Sequence, residues 1–212
     1  MKDLLDELFS LPPGDAVFDL DGTLIHRDVG EAALKRRIAK GPLPGAARVA
    51  LGDDDPWGVY ERMDPVTQAV AAAQALAGMT LGECEQIVDD IFAAGEIEPN
   101  AAVCELAAAV ARHHRVWIVS GSAEALVRAV APRVGVRNVV GVRLAVEGGR
   151  LTDRVIGPVS CAAGKVDAAW VALGRRPVFS IGDSPWDSHL HAMARVARTV
   201  GRTAGVGWPA FP

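Results

Sequence analysis

The chain has 212 residues, half of them hydrophobic and 23% charged, with a formal net charge of −4. That composition suits one folded domain with a sizeable core, or a core carrying a small insert. No apolar run approaches the ~20 residues that cross a bilayer, and the acidic start "MKDLLDELFS" lacks a signal-peptide apolar region, so a cytoplasmic protein with no membrane partner is expected.

In chain order, residues 15–20 are short, apolar and β-prone, which reads as a buried strand. It ends in "DLDGT", residues 19–23, with two acids one residue apart. From Asp28 to Lys40 the apolar residues Val29, Ala32, Ala33 and Ile38 predict a helix, halted by "GPLPG" at 41–45. Residues 57–95 read as helices broken at Gly78 and Gly82. Pro65 stands near the start of one, where a helix tolerates proline, and Thr80 is a candidate N-cap of the next. Residues 53–98 hold eleven acids and one base, Arg62, a local charge of −10 that leaves +6 on the rest. So sharp a change predicts a separate acidic insert in a mildly basic body.

Beyond the insert, helical and strand patterns alternate. Residues 99–113 read as a helix, 115–120 ("RVWIVS") as a strand and 122–135 as a helix. Residues 142–152 read as a hairpin turning at Gly148-Gly149. Then follow a helix at 162–173, the strand "PVFSIG", a helix at 185–194 and the strand "ARVART", before a tail, "GVGWPAFP", that reads as a frayed end. Alternating helices and buried strands predict an α/β fold, a doubly wound parallel sheet.

Ligands of such sheets sit outside the carboxyl ends of the strands. Asp19, Asp21, Gly22 and Thr23 follow the first strand. Ser120, Gly121 and Ser122 follow the second, and Asp183, Ser184 and Asp187 follow "VFSI". Lys165 opens a helix between them. Converging carboxylates repel unless a hard cation joins them, and Mg²⁺ takes oxygen ligands. One lysine and free backbone N–H groups then suit a phosphate. A carboxylate held against that phosphate can attack phosphorus, and a second acid two residues on can serve the leaving oxygen.

Taken in order, "DLDGT", "VSGS", "GK" and "GDSPWD" resemble the four motifs of the haloacid dehalogenase superfamily. The resemblance implies a Rossmann-like core over 1–40 and 97–212 and a small α-helical cap over 41–96, as in the phosphoserine-phosphatase-like branch. It implies Asp19 as nucleophile and Asp21 as general acid/base. Asp183 and Asp187 would hold Mg²⁺ together with Asp19 and the carbonyl of Asp21. Ser120 and Lys165 would bind the phosphoryl group in a cradle with Gly22, Thr23 and Gly121. The superfamily's dehalogenases lack the second acid, because a halide leaves without a proton, so Asp21 points to phosphate esters. The implied protein is a Mg²⁺-dependent phosphomonoester hydrolase of a small phosphorylated metabolite. The alternatives are a phosphotransferase to an alcohol and a non-catalytic binding module. No basic stripe with aromatics suggests nucleic acid.

In phosphoserine phosphatases an acid nine residues after the nucleophile contacts the substrate amine; here that position is Asp28, with Glu31 close by. Their cap arginine has no counterpart in "VTQAVAAAQ", and Arg62 is the one base in the insert. An acidic cap without a carboxylate clamp disfavours a strongly anionic leaving group and favours amino-alcohol or neutral alcohol phosphates. Trp186 lies inside the fourth motif. Trp57 and Tyr60, near the cap entrance, read as cap packing with substrate contact as the alternative, and His113-His114 as a solvated helix end. Cys84, Cys104 and Cys161 fit reduced thiols and no zinc pattern.

Overall fold

A computed structural model describes residues 1–201 and 208–211. The chain opens with α1 (Lys2–Phe9), an amphipathic helix that buries Leu4 and Leu8. It leads into β1 (Asp15–Phe18), covered on both faces as a continuous apolar run demands in a parallel sheet. After the Asp19–Thr23 loop, a short β2 (Ile25–His26) pairs antiparallel with β3 (Glu98–Pro99). Asp28 caps α2 (Val29–Ala39), its Oδ1 accepting from the Glu31 N–H at 2.8 Å.

Three helices follow: α3 (Gly45–Leu51), α4 (Pro56–Glu61) and α5 (Pro65–Gln74). Asp55 and Asp64 cap the last two just before a proline, where a missing N–H costs nothing. With α2 they enclose a cluster of their own around Leu34, Leu51, Tyr60 and Ala71. Next, α6 (Leu81–Ala93) starts on a capping box between Thr80 and Glu83 and runs through Gly82, where the sequence predicts a break. Gly78, at φ +84°, does interrupt the chain. Helix α6 turns Cys84, Ile87, Val88 and Ile91 into the main core. The helical segment is thus divided between two cores.

The rest of the chain builds the sheet. It runs through α7 (Ala101–Val110), β4 (Arg115–Ala123), α8 (Glu124–Val130) and β5 (Asn138–Val142). The hairpin β6 (Leu144–Glu147) and β7 (Arg150–Val155) turns at Gly148-Gly149 as expected. Then come α9 (Gly164–Leu173), β8 (Phe179–Gly182), α10 (Ser188–Met193) and β9 (Val196–Thr199). Five parallel strands lie in the order β5-β4-β1-β8-β9. Alternation along β1 sends Ala16 and Phe18 to one face and Val17 to the other. Phe18 meets Phe179 edge-on at 5.6 Å on the first face, and Val17 joins Val119, Ala169 and Leu190 on the second.

Several expectations are corrected. The second strand does not stop at Ser120: β4 runs on to Ala123 through an irregular register, so Ser122 lies in the strand and α8 begins at Glu124. The region before the hairpin contains β5, which the sequence does not separate. His114 is buried instead of solvated. Its Nδ1 accepts from the Gly14 N–H at 3.1 Å, so Nε2 carries the proton and donates to the Leu8 carbonyl at 3.0 Å. The tail returns to the sheet: Thr199 N–H donates to the Pro209 carbonyl, Phe211 N–H donates to the Thr199 carbonyl, and Trp208 packs on His191. Residues 202–207 and 212 of that region lie outside the described residues.

Candidate active site

Register assembles the site. Phe18 sits opposite Ile118 on β4 and Ile181 on β8. The segments that follow them therefore come together at one end of the sheet, with β4 running on to Ala123 beside them. Asp19 is still tied to the sheet through its N–H, which donates to the Ile181 carbonyl at 2.9 Å. One carboxylate oxygen from each of Asp19, Asp183 and Asp187 lies within 4.8 Å of the others.

Lys165 is buried among them. Its Nζ donates to Asp19 Oδ1 at 2.7 Å and to Asp187 Oδ1 at 2.5 Å. Gly164 makes that placement possible, because a Cβ there would stand 2.1 Å from the Val159 carbonyl oxygen. Asp187 Oδ2 also accepts from the Ser184 hydroxyl and N–H at 2.9 and 3.1 Å. Burial pushes Asp187 up, but Lys165 and Ser184 outweigh it and hold the carboxyl below its ordinary range. Burial raises Asp19 well above that range, against the pull of Lys165 and with help from Asp187 and Asp21. Burial lowers the Lys165 ammonium, yet Asp187 and Asp19 more than reverse this and keep it charged.

Asp21 is held at both oxygens. Oδ1 accepts from the Val29 N–H at 2.9 Å, and Oδ2 from the hydroxyls of Ser120 at 2.8 Å and Ser122 at 2.9 Å. Burial still raises its pKa despite these donors. The positive φ of Gly22 turns the loop, and a Cβ there would meet Asp183 Oδ2 at 2.2 Å.

A cavity of about 360 Å³ opens over these groups. Asp19, Asp21, Gly22, Asp28, Gly121, Lys165 and Asp183 line it, as do Trp186 and Cys161. Ser120, Thr23 and Asp187 are brought to the cluster but not to the cavity wall. Thr23 is fully buried and donates to Asp183 at 3.4 Å. Arg62 is absent from the wall; Arg27 is in it, and among the described residues its guanidinium makes no ion pair or hydrogen bond. Cys161 is a buried thiol raised by burial, and its Sγ donates to the Pro65 carbonyl. Tyr60 lines the cavity and stacks on Trp57, which does not.

Helices α4 and α5 contribute Tyr60, Pro65, Gln68, Ala69 and Ala72 to the wall, and all eleven acids of 53–98 are exposed. The acidity of the insert therefore does not face the ligand. The acids that do, beyond the central cluster, are Asp28 and Glu31 of α2 and its cap. Sequence reasoning missed Arg27, Gln68 and the part of Ser122; only the hydroxyl in "VSGS" carried a signal.

The family model of haloacid dehalogenase-like hydrolases matches residues 16–190. The chain belongs to this family. A protein of unknown function from Bordetella pertussis Tohama I, 17% identical, superposes with a TM-score of 0.71 over 95% of this chain and 99% of its own. A probable phosphoserine phosphatase from Vibrio cholerae, also 17% identical, gives 0.66 over 96% of this chain and 61% of its own. A substrate-bound phosphoserine phosphatase, 16% identical, gives 0.59 over 92% and 89%. No curated protein matches. At such identities the shared property is the fold.

Proposed function

We propose that this hydrolase is a Mg²⁺-dependent phosphomonoesterase that acts on a small metabolite through a phosphoryl-Asp19 intermediate. The observation that carries the reading is Lys165 fixed between Asp19 and Asp187, beside an all-carboxylate oxygen cluster. Three carboxylates against one ammonium leave an excess of negative charge that a hard divalent cation fits. Asp19, Asp183, Asp187 and the carbonyl of Asp21 would hold Mg²⁺, which supplies charge neutralisation for the phosphoryl oxygens.

The chain's own groups then divide the work. Lys165 occupies Asp19 Oδ1, so Oδ2 is the attacking oxygen. It bonds to phosphorus as the ester P–O bond breaks, and Asp21 gives its proton to the departing oxygen. Asp21, now a carboxylate, takes a proton from water as that water attacks phosphorus. The Asp19–phosphorus bond breaks, phosphate leaves, and both acids are restored.

Asp28 and Glu31 line the same cavity as Asp21. Burial raises Asp28 well above its ordinary range, and Asp21 and Glu31 add to that. An amine on the leaving group would relieve it, in keeping with the role of this position in phosphoserine phosphatases. Helices α3–α5 are the cap of this reading, with α6 anchored in the core.

The test is a panel of phosphomonoesters with Mg²⁺, read by phosphate release, with acceptor alcohols added in parallel to detect transfer. Asp19→Asn should abolish turnover. A folded wild-type protein that releases no phosphate from the panel would refute the reading.

A further inference from the structure

We infer that Ser122 is the positioning residue that holds Asp21 in place while the phosphoryl group is bound. The inference rests on the phosphomonoesterase reading and adds a residue that the motifs do not assign. Two serine hydroxyls reach the same oxygen of Asp21, Ser120 at 2.8 Å and Ser122 at 2.9 Å. They are not equivalent. A hydroxyl has one proton to donate. Ser120 also accepts from the Ser122 N–H at 2.9 Å, so one of its lone pairs is taken and its proton is spent on Asp21. If Ser120 turns that proton to a phosphoryl oxygen, it releases Asp21 at the moment Asp21 must aim at the leaving oxygen. Among the described residues Ser122 then remains as the only side-chain donor on Asp21 Oδ2, and the Val29 N–H holds Oδ1 at 2.9 Å. Together they fix the plane of the carboxyl from both ends.

The surroundings are built for that contact. Ser122 is buried at the irregular end of β4. Gly30, one residue after Val29, faces it, and a Cβ on Gly30 would stand 2.9 Å from Ser122 Oγ and 3.1 Å from Asp28 Oδ1. The missing side chain leaves the hydroxyl room to reach Asp21. The substitution Gly30→Ala therefore crowds Ser122 Oγ most and Asp28 Oδ1 less, and Asp21 is not among the atoms nearest its Cβ. It lies in α2, where alanine is the better helix former by ~1 kcal/mol, so the fold is not put at risk.

A positioning role predicts a dependence on the leaving group that a purely structural role does not. p-Nitrophenolate leaves without needing a proton, whereas an alkoxide needs one. We would measure kcat/KM, which reports formation of phosphoryl-Asp19, for p-nitrophenyl phosphate and for the alkyl phosphate that wild type turns over fastest. For Ser122→Ala and Gly30→Ala, kcat/KM on the alkyl ester should fall by roughly 10- to 100-fold, the scale of a misplaced catalytic group. On p-nitrophenyl phosphate it should fall less than about threefold, because the general acid contributes little there. Ser122→Thr, which keeps the hydroxyl, should recover most of the alkyl rate. Equal losses on both esters, no loss on either, or failure of Ser122→Thr to recover activity in a folded protein would overturn the inference in an otherwise active enzyme. A wild type inactive on both esters would instead refute the phosphomonoesterase reading, and this inference with it.

Discussion

Replacing Lys165 with methionine removes one charge from the centre of the site and leaves the volume nearly unchanged. In the wild type, Nζ stands 2.7 Å from Asp19 Oδ1 and 2.5 Å from Asp187 Oδ1. At an effective dielectric constant of about 20, each contact is worth roughly 6 kcal/mol of gross attraction. Desolvating three ions costs several kcal/mol apiece, so the intact cluster is close to neutral for stability. Its removal in part is not. Lys165→Met leaves two carboxylates buried with no cation, and breaking such a pair costs about 3–5 kcal/mol. For a chain of this length that is a fall in Tm of roughly 6–20 °C. Thermal unfolding in chelator at neutral pH reads the loss directly. Saturating Mg²⁺ should return part of it, about 2.7 kcal/mol at a hundred times Kd, because only the folded state gathers the carboxylates. A Lys165→Met protein that unfolds within about 0.5 kcal/mol of wild type in chelator would show that Lys165 is not compensating those charges. A deficit untouched by Mg²⁺ would show that the cluster holds no cation.

Two further predictions concern stability. Arg27 has φ +72°, a conformation that costs a non-glycine residue on the order of 1 kcal/mol. Arg27→Gly relieves that strain but adds unfolded-chain freedom worth a similar amount, so stability in urea unfolding should change by less than about 1 kcal/mol; a larger loss would mean that the guanidinium holds the fold. At the opposite end of the sheet, the fully covered Asp15 carboxylate accepts from Arg115 at 2.5 Å, Arg175 at 2.6 Å and Trp117 at 2.9 Å. Burial pushes Asp15 up, but these donors outweigh it and hold the carboxyl below its ordinary 3.8. Its contribution is then complete above that ordinary value and is lost as pH falls through the lower folded one. Because both arginines are half-exposed, Asp15→Asn should cost only about 1–2 kcal/mol near pH 7. The gap in Tm between the two proteins should stay level down to about pH 5 and close below about pH 4. A gap that widens in acid would contradict the assignment.

What the sequence makes legible is what local chemistry dictates. Continuous apolar runs mark β1 and β8, Pro65 marks the start of α5, and Gly148-Gly149 marks the hairpin. The order of the motifs puts Asp19, Lys165 and Asp183 at one point, because a doubly wound sheet collects its strand ends. The residues that escape are those fixed by tertiary approach. Thr23 follows Gly22 in the loop, yet its side chain turns inward to Asp183. Ser122 reads as a helix start, yet the strand continues past it and delivers its hydroxyl to Asp21. His114 sits at a helix end, a place that is usually wet, but α1 covers it with the Leu8 carbonyl. No local pattern announces any of these, since each depends on a partner about a hundred residues or more away.

The charge of the insert teaches a sharper lesson about substrate. Counting acids by segment makes 53–98 look hostile to an anionic leaving group. The side chains show that the count and the wall are different surfaces. The eleven acids point to solvent, where salt screens them within about 10 Å, and the cap wall is Tyr60, Gln68, proline and alanine. The sign felt by the leaving group is set instead within five residues of the core, by Arg27, Asp28 and Glu31. Two carboxylates and an unpaired guanidinium make a wall of mixed sign. Such a wall accepts a cationic group against Asp28 and does not repel an anionic one beside Arg27. On the phosphomonoesterase reading, substrate selection by charge is therefore encoded in the stretch from Asp19 to Glu31. The cap is left to supply shape, apolar cover and the Gln68 amide.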